Sequence, residues 1–203
     1  MKILIVGGNG TIGKVVSAHY RAKSEVLVAG RTSGDVQIDL ADSTSIQQGL
    51  ENASKKVGKL DAIICIAGEA KWAPFQTLSE EDYYIGLRSK LMGQVNLVRI
   101  GQNFLNPNGS ITLTTGILAD DPVAKTASAA MVNGAIHSFV QAAALEISDF
   151  RLNVVSSGLV ADAVEKYEDY FPGHYPIPMP KMLRGYIRCV EGHHHGEIVR
   201  IYE

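Results

Sequence analysis

A glycine-rich turn follows directly on the first apolar segment of the chain. It runs from Gly7 to Gly13 and leads into a segment with helical periodicity. Glycines let a backbone turn tightly and approach a phosphate, whose negative charge is stabilised at the positive end of a helix. The glycine turn lies between a strand and a helix, and this position indicates pyrophosphate binding rather than a merely flexible connection. The predicted dinucleotide-binding residues are Gly7, Asn9, Gly10, Thr11, Ile12 and Gly13.

The next strand-like segment ends in Arg31, Thr32 and Ser33. A site specific for NAD usually has an acidic residue here, which binds the ribose 2′-hydroxyl. An arginine can instead pair with a 2′-phosphate, and neighbouring hydroxyl groups can add hydrogen bonds. The sequence therefore predicts NADP(H) as the cofactor, with a solvated surface arginine as the alternative.

The histidines and cysteines give little indication of a metal site. His193, His194 and His195 are consecutive, so their side chains rarely converge on one ion, and no acidic or cysteine partner has suitable spacing. We expect a solvated turn there and no metal. Cys65 and Cys189 each lie in an apolar segment, which predicts buried free thiols and a reducing compartment.

These residues must be positioned by an alternation of strands and helices. Strands are expected at residues 2–6, 25–29, 36–38, 61–65, 110–114, 152–156 and 198–202. Helices are expected at residues 11–23, 43–56, 80–104, 127–148 and 180–191. Ser79 and Asp82 resemble a capping pair for the third helix. The pattern predicts the α/β class: a Rossmann-type three-layer αβα sandwich with a mainly parallel, seven-stranded sheet.

Length and composition limit the remaining possibilities. The 203 residues fit one nucleotide-binding domain, residues 1–203, in which the aromatic- and proline-rich segment 161–180 forms a loop or lid. A net charge of -2 disfavours nucleic acid and anionic membranes as partners. Neither a signal peptide nor a membrane span is recognisable, so we expect a cytoplasmic protein.

Taken together, the segments resemble the short-chain dehydrogenase/reductase family over nearly the whole chain. Besides the glycine turn, the resemblance is carried by Asp39-Leu40, Ala67-Gly68, Gly109-Ser110 and Ser157-Gly158. It implies that Asp39 contacts the adenine amino group and that Ala67-Gly68 passes beneath the adenine ribose. Leu40 and Val160 are the further cofactor contacts that it implies. An ordinary turn residue is the alternative for Asp39.

The family's catalytic tyrosine and lysine are missing. Aligning the long helix by residues 139–146 places Ala129 at the tyrosine position and Asn133 at the lysine position. Thr115 matches the family's serine, and Lys90 stands at the position of its helix asparagine. The resemblance thus implies catalytic roles for Thr115, Lys90 and Asn133, the last two as an exchange of the same two groups. A locally bonded threonine and a surface lysine are the alternatives.

Two functions are compatible with this incomplete set. The first is an NADP(H)-dependent oxidoreductase acting on a small carbonyl or hydroxyl compound, slowed by the loss of its general acid. The remaining proton donors would be water or one of these side chains: Lys90, Ser128, Tyr170 or Tyr175. The second is a catalytically inactive NADP(H)-binding sensor or partner subunit. We favour the oxidoreductase.

The resemblance also implies a homodimer or homotetramer. The helices expected at residues 80–104 and 127–148 resemble the surface through which this family assembles. His137 lies on the second of these helices, where we expect it to pack or to lie in an interface rather than to act as a catalytic base.

Overall fold

A computed structural model describes residues 1–202. Seven strands form one sheet in the order β3-β2-β1-β4-β5-β6-β7, and every neighbouring pair is parallel. The strands are β1 (Lys2–Val6), β2 (Glu25–Gly30), β3 (Val36–Gln37), β4 (Leu60–Cys65), β5 (Leu105–Gly116), β6 (Arg151–Ser157) and β7 (Ile198–Ile201). The helices are α1 (Thr11–Arg21), α2 (Ser43–Val57), α3 (Glu80–Gly86), α4 (Gly93–Gly101), α5 (Ala127–Ala144), α6 (Val164–Tyr167) and α7 (Met179–Glu191).

The central strand β1 is buried on both faces because its side chains alternate between two apolar layers. Leu4 and Val6 pack into the layer that α2, α4 and α5 complete. Ile3 and Ile5 pack into the opposite layer, with α1 and α7. Full burial of each such side chain stabilises the fold by about 1.5–3 kcal/mol. The predicted fold class is confirmed: a parallel seven-stranded sheet with helices on both faces.

Local capping residues set the helix starts. The predicted pair at the start of α3 is a complete capping box, because the Ser79 hydroxyl accepts a hydrogen bond from the Asp82 N–H while the Asp82 carboxylate accepts one from the Ser79 N–H. Asp42 caps α2 by accepting a hydrogen bond from the Thr44 N–H. At α1 the capping position is Gly10, which has no side chain, so no side chain satisfies the first N–H groups of this helix.

Several predicted boundaries were wrong. The helix expected at residues 80–104 is divided into α3 and α4 by a π-helical stretch, Leu87–Met92, which contains Lys90. Strand β5 begins at Leu105, before the expected start, and α5 ends at Ala144 rather than at residue 148. The segment 161–180 contains helical turns, including α6, and α7 begins one residue before Pro180. Insertions of π-helix often mark functional positions.

Both cysteines are buried free thiols, as predicted. Burial raises the pKa of Cys65 to about 11 and that of Cys189 to about 12. Neither thiol is therefore reactive near neutral pH. Within residues 1–202, none of the helices is both long and apolar enough to cross a membrane.

Candidate active site

A cavity of about 370 Å³ opens at the carboxyl edge of the sheet. It lies where the strand order reverses, with β1 leading to β2 on one side and β4 leading to β5 on the other. Ligands of open α/β sheets bind at this kind of position. The lining residues come from the glycine turn, the ends of β4, β5 and β6, the face of α5, the π-helical stretch and the segment after β6.

The glycine turn is held in a shape that side chains would disrupt. Gly7 has a φ of +84°, and a Cβ atom on it would lie 2.6 Å from the carbonyl oxygen of Ile66. A Cβ atom on Gly13 would lie 2.1 Å from the carbonyl oxygen of Gly7. Helix α1 therefore packs directly against the turn because Gly13 has no side chain.

This turn fits a pyrophosphate group. Gly10, Thr11, Ile12 and Gly13 line the cavity, and the first turn of α1 carries no acidic residue. The uncapped N–H groups and the positive end of the helix together favour an anion. Asn9 is exposed at the tip of the turn, and its side-chain amide donates a hydrogen bond to the Ser33 hydroxyl at 3.2 Å.

Arg31 lies beyond the end of β2, and its guanidinium group is more than half exposed. Its Nη2 atom is 3.4 Å from Oε1 of Glu69, the residue that follows Gly68 at the end of β4. Thr32 and Ser33 are exposed next to it. Arg31 therefore reaches across from β2 toward the β4 side of the site. Glu69 as its partner was not predicted, because the two residues are far apart in the sequence.

The residues implied as adenine and ribose contacts fall into two groups. Gly68 and Val160 line the cavity. Asp39 accepts a hydrogen bond from the Ala41 N–H, so one carboxylate oxygen is used in a local turn, and Leu40 is buried beneath Gly93. The Ala67 carbonyl accepts a hydrogen bond from the Gln94 side chain.

Ala129 and Asn133 both lie on the cavity wall, one turn apart on α5. The alanine offers no hydroxyl there. The Asn133 side chain is 3% exposed, and its Oδ1 atom has no hydrogen-bond partner within the described residues. A buried acceptor without a partner is costly, so this oxygen is suited to bind a ligand or a water molecule.

Lys90 reaches the same wall from the π-helical stretch. Its Nζ atom donates a hydrogen bond to the Thr114 carbonyl at 3.4 Å, next to the stronger one from Gln94 at 3.0 Å. Its stem packs against Gly68, where a Cβ atom would lie 2.9 Å from the Lys90 Cα atom. Burial lowers the pKa of Lys90 below that of an ordinary lysine, because removal from water disfavours the charged form. Lys90 is thus not a freely solvated surface lysine.

Thr115 forms a contact that sequence reasoning missed. Its Oγ1 atom is hydrogen-bonded to Nε2 of His137 at 2.8 Å, and both residues are buried. Thr115 also lines the cavity. A signal was present in the sequence, because His137 follows Asn133 by four residues and therefore lies on the same face of α5. His137 is buried, in keeping with the expectation that it packs, and it also makes this hydrogen bond, which was not predicted.

An aromatic cluster of Trp72, Tyr167, Tyr170 and Phe171 closes one side of the cavity. The Trp72 ring centroid lies 5.3 Å from those of Tyr167 and Tyr170 and 6.2 Å from that of Phe171. Trp72, Tyr167 and Phe171 line the cavity. Trp72, which the sequence analysis did not single out, thus joins the segment after β4 to the segment after β6.

Comparison with known proteins agrees with this architecture. The family model described as enoyl-(acyl carrier protein) reductase matches residues 14–173, which is most of the chain. The chain belongs to the short-chain dehydrogenase/reductase family. This short-chain dehydrogenase/reductase has a glycine turn and a carboxyl-edge cavity, but alanine and asparagine stand where the resemblance placed the catalytic tyrosine and lysine.

Curated relatives of this short-chain dehydrogenase/reductase are distant. An uncharacterized oxidoreductase of Methylorubrum extorquens is 24% identical over 137 residues, which are 66% of this chain and 55% of that protein. A short-chain dehydrogenase/reductase of Stachybotrys chlorohalonatus is 24% identical over 183 residues, covering 77% of this chain and 72% of its own. This chain thus spans about half the length of the first relative.

Among solved structures, the protein lin1944 from Listeria innocua is 41% identical, with a TM-score of 0.94 and full coverage of both chains. A small-chain dehydrogenase in complex with NADPH is 23% identical, with a TM-score of 0.85, and the match covers 99% of this chain and 96% of that one. The second likeness concerns the fold alone.

The other proton donors considered for this short-chain dehydrogenase/reductase do not lie on the cavity wall. Ser128 is fully buried away from it. Tyr175 is 79% exposed, and Tyr170, whose ring meets Trp72 edge-to-face, is not among the lining residues. Tyr167 is the tyrosine of the lid segment that lines the cavity. Of the proton donors left open by the sequence, Lys90 is the side chain that lines this cavity.

Of the three consecutive histidines of this short-chain dehydrogenase/reductase, His193 is exposed in the turn before β7, whereas His194 and His195 contact β6 and α7. Nδ1 of His195 accepts a hydrogen bond from the Leu152 N–H, and the His194 carbonyl accepts one from the Asn153 side chain. The Arg188 guanidinium donates to Nε2 of His194. These bonds tie the turn before β7 to β6 and α7.

Proposed function

We propose that this chain is an NADP(H)-dependent oxidoreductase acting on a small, mainly apolar carbonyl or hydroxyl compound. The observation that carries the proposal is the cavity at the carboxyl edge of the sheet. Its lining brings the glycine turn together with Thr115, Asn133 and the aromatic residues Trp72, Tyr167 and Phe171. A nucleotide and a small substrate can therefore meet there. The same proposal treats residues 1–203 as one nucleotide-binding domain with 161–180 as its lid.

The cofactor part is supported by the residues at both ends of the predicted nucleotide site. The N-terminus of α1 would hold the pyrophosphate, and Arg31 with Thr32 and Ser33 would hold the 2′-phosphate. The family uses nicotinamide cofactors, and one solved relative is a complex with NADPH. When bound, the nicotinamide supplies or accepts a hydride.

The substrate part is supported by the composition of the cavity wall. Among the residues within 1–202 that line it, Lys90 is the only charged one. Most of the others are aromatic, aliphatic or glycine, and apolar walls favour apolar ligands. The Thr115 hydroxyl would bind the substrate oxygen, and the Lys90 ammonium and the Asn133 amide would contact the nicotinamide ribose or that oxygen.

Assembly of copies is supported by exposed apolar side chains on the helices named by the resemblance. Ile85, Met92 and Met131 are each between 41% and 44% exposed. They lie on α3, the π-helical stretch and α5. A homodimer or homotetramer would bury them.

Replacing Arg31 with alanine is expected to weaken NADPH binding by about 10- to 100-fold, because a charge-assisted pair with the 2′-phosphate is lost. Binding of NADH, which has no such phosphate, should change little. Fluorescence titration of both nucleotides measures this difference. Arg21→Ala, at an exposed position on α1, is the matched control.

An Arg31→Ala protein that binds NADPH as tightly as the wild type would contradict the assignment of NADP(H) to this site. If the wild type binds neither nucleotide, the proposed function fails. If it binds NADPH but oxidises it with no carbonyl compound, the chain binds the cofactor without catalysing its oxidation.

Replacing Lys90 with methionine is expected to lower kcat for NADPH oxidation about tenfold or more. Methionine keeps an apolar stem against Gly68 but has no ammonium group to contact the nicotinamide ribose or the substrate oxygen. Steady-state kinetics with a panel of aromatic and aliphatic aldehydes measures the effect. Lys55→Met on the exposed surface of α2 is the control, and equal rates for both variants would exclude a role for Lys90.

A further inference from the structure

The missing tyrosine leaves open where the proton of the reaction comes from. Ala129 cannot donate one, and Ser128, Tyr170 and Tyr175 do not line the cavity. Lys90 and Tyr167 do line it, but the Lys90 ammonium donates to the Thr114 carbonyl and Tyr167 belongs to the lid segment rather than to the catalytic face of α5. Thr115 also lines it, and its hydroxyl is hydrogen-bonded to Nε2 of His137 on α5 at 2.8 Å. A titratable imidazole is therefore one hydrogen bond away from a threonine that lines the cavity.

We propose that Thr115 and His137 form a proton relay in which His137 holds the proton and the Thr115 hydroxyl passes it to or from the substrate oxygen. This proposal rests on the proposed oxidoreductase function. In it Thr115 touches the substrate, whereas His137 acts through Thr115 and is a positioning and proton-storing residue.

The surroundings of His137 determine its charge. Burial lowers its pKa, the Asp120 carboxylate opposes this effect, and the Arg200 guanidinium lowers the pKa further. Asp120 is itself paired with Arg200 at 2.9 Å and accepts a hydrogen bond from the Tyr202 hydroxyl. Because Arg200 compensates the negative charge of Asp120, the effect of burial dominates and the pKa of His137 is lowered. The imidazole is therefore neutral at pH 7.

Protons and electrons balance in both directions of the proposed reaction. During alcohol oxidation, the substrate hydroxyl gives its proton to Oγ1 of Thr115 while Thr115 gives its own proton to Nε2 of His137, and the carbinol hydride leaves to the oxidised nicotinamide. The imidazole becomes an imidazolium. During carbonyl reduction, the imidazolium returns this proton through Thr115 to the carbonyl oxygen as the carbon accepts a hydride from the reduced nicotinamide.

The two directions have opposite pH dependence. Oxidation needs neutral His137, so its rate rises with pH up to the lowered pKa and is level above it. Reduction needs the imidazolium, so its rate falls about tenfold per pH unit above that pKa. A hydrogen bond with only a structural role would produce neither dependence.

The test combines kinetics with a titration that requires no turnover. Single-turnover oxidation of bound NADPH by 1-phenylpropane-1,2-dione, an activated aromatic ketone, is measured between about pH 4.5 and 8.5, a range that extends well below the ordinary histidine titration. The proteins are the wild type, His137→Gln and the control His193→Gln. Glutamine keeps an amide near Thr115 but does not titrate. His193 is exposed in the turn before β7, at the opposite edge of the sheet.

NMR follows the imidazole of His137 in the nucleotide-free wild type over the same range, with its signal assigned in the wild type through backbone and side-chain connectivities. We expect a midpoint below the ordinary histidine value that coincides with the kinetic pKa of the wild type and of His193→Gln. His137→Gln is expected to bind NADPH normally, to react about 100-fold more slowly and to lose the pH dependence.

The outcomes separate the relay from the proposed function. A wild type that binds no NADPH, or never oxidises it, overturns both. Turnover with a profile that His137→Gln reproduces overturns the relay alone. The relay is also overturned if the imidazole signal of His137 does not titrate, or titrates far from the kinetic pKa. This NMR result is obtained on the wild type, so it holds even if His137→Gln fails to fold.

Discussion

Replacing Gly13 with alanine is expected to weaken NADPH binding by about 100-fold or more and to destabilise the protein. The added Cβ atom would lie 2.1 Å from the Gly7 carbonyl oxygen and 2.8 Å from the Gly8 Cα atom. Both neighbours are backbone atoms in a turn that β1 anchors, so neither can rotate away. Helix α1 must shift instead, and its N-terminal N–H groups leave the place where the pyrophosphate would be held.

The two effects of Gly13→Ala can be measured separately. Overpacking of this kind costs about 1–3 kcal/mol of folding free energy, which lowers the Tm of a chain of this size by roughly 2–4 °C per kcal/mol. Fluorescence titration gives the affinity at a temperature where the variant is still folded. A 100-fold loss corresponds to about 2.7 kcal/mol of binding free energy.

Gly134→Ala is the matched control for this variant. Gly134 lies inside α5, and a Cβ atom there would meet nothing within 4 Å. Because alanine is the better helix former, this substitution is expected to raise the free energy of unfolding by up to about 1 kcal/mol and to leave NADPH affinity unchanged. If Gly13→Ala behaved like Gly134→Ala, the turn would be adaptable and the packing argument would be wrong.

Replacing Thr115 with valine is expected to lower kcat for carbonyl reduction by about 10²-fold or more, with little change in NADPH affinity. Valine has nearly the shape of threonine but no hydroxyl, so the substrate oxygen loses its donor and His137 loses its partner at 2.8 Å. Loss of a positioned proton donor typically has an effect of this size. Single-turnover kinetics and nucleotide titration measure the two quantities.

Thr115→Ser separates chemistry from packing in this experiment. Serine keeps the hydroxyl and removes one methyl group from a residue that is 4% exposed. We expect this variant to retain most of the wild-type rate with a modest loss of stability. If Thr115→Val were as active as Thr115→Ser, the hydroxyl would have no part in the reaction and the locally bonded threonine would be the correct interpretation.

The fold and the glycine turn followed from local patterns. Apolar strands buried on both faces, the capping pair Ser79 and Asp82, and the glycine turn are each encoded within a few consecutive residues. The alternation of strands and helices leaves few topologies for such a sheet, since parallel neighbours need helical crossovers. Alignment of α5 could likewise place Ala129 and Asn133, because one helical register relates them.

Only the tertiary structure showed which residues of separate elements meet around the site. Thr115 and His137 meet because β5 and α5 pack together, Arg31 meets Glu69 across the ends of β2 and β4, and Trp72 packs on a lid segment far along the chain. No periodicity within either partner encodes such a contact. It depends on strand order, on packing between layers and on the burial that lowers the pKa of His137, and these exist only in the folded chain.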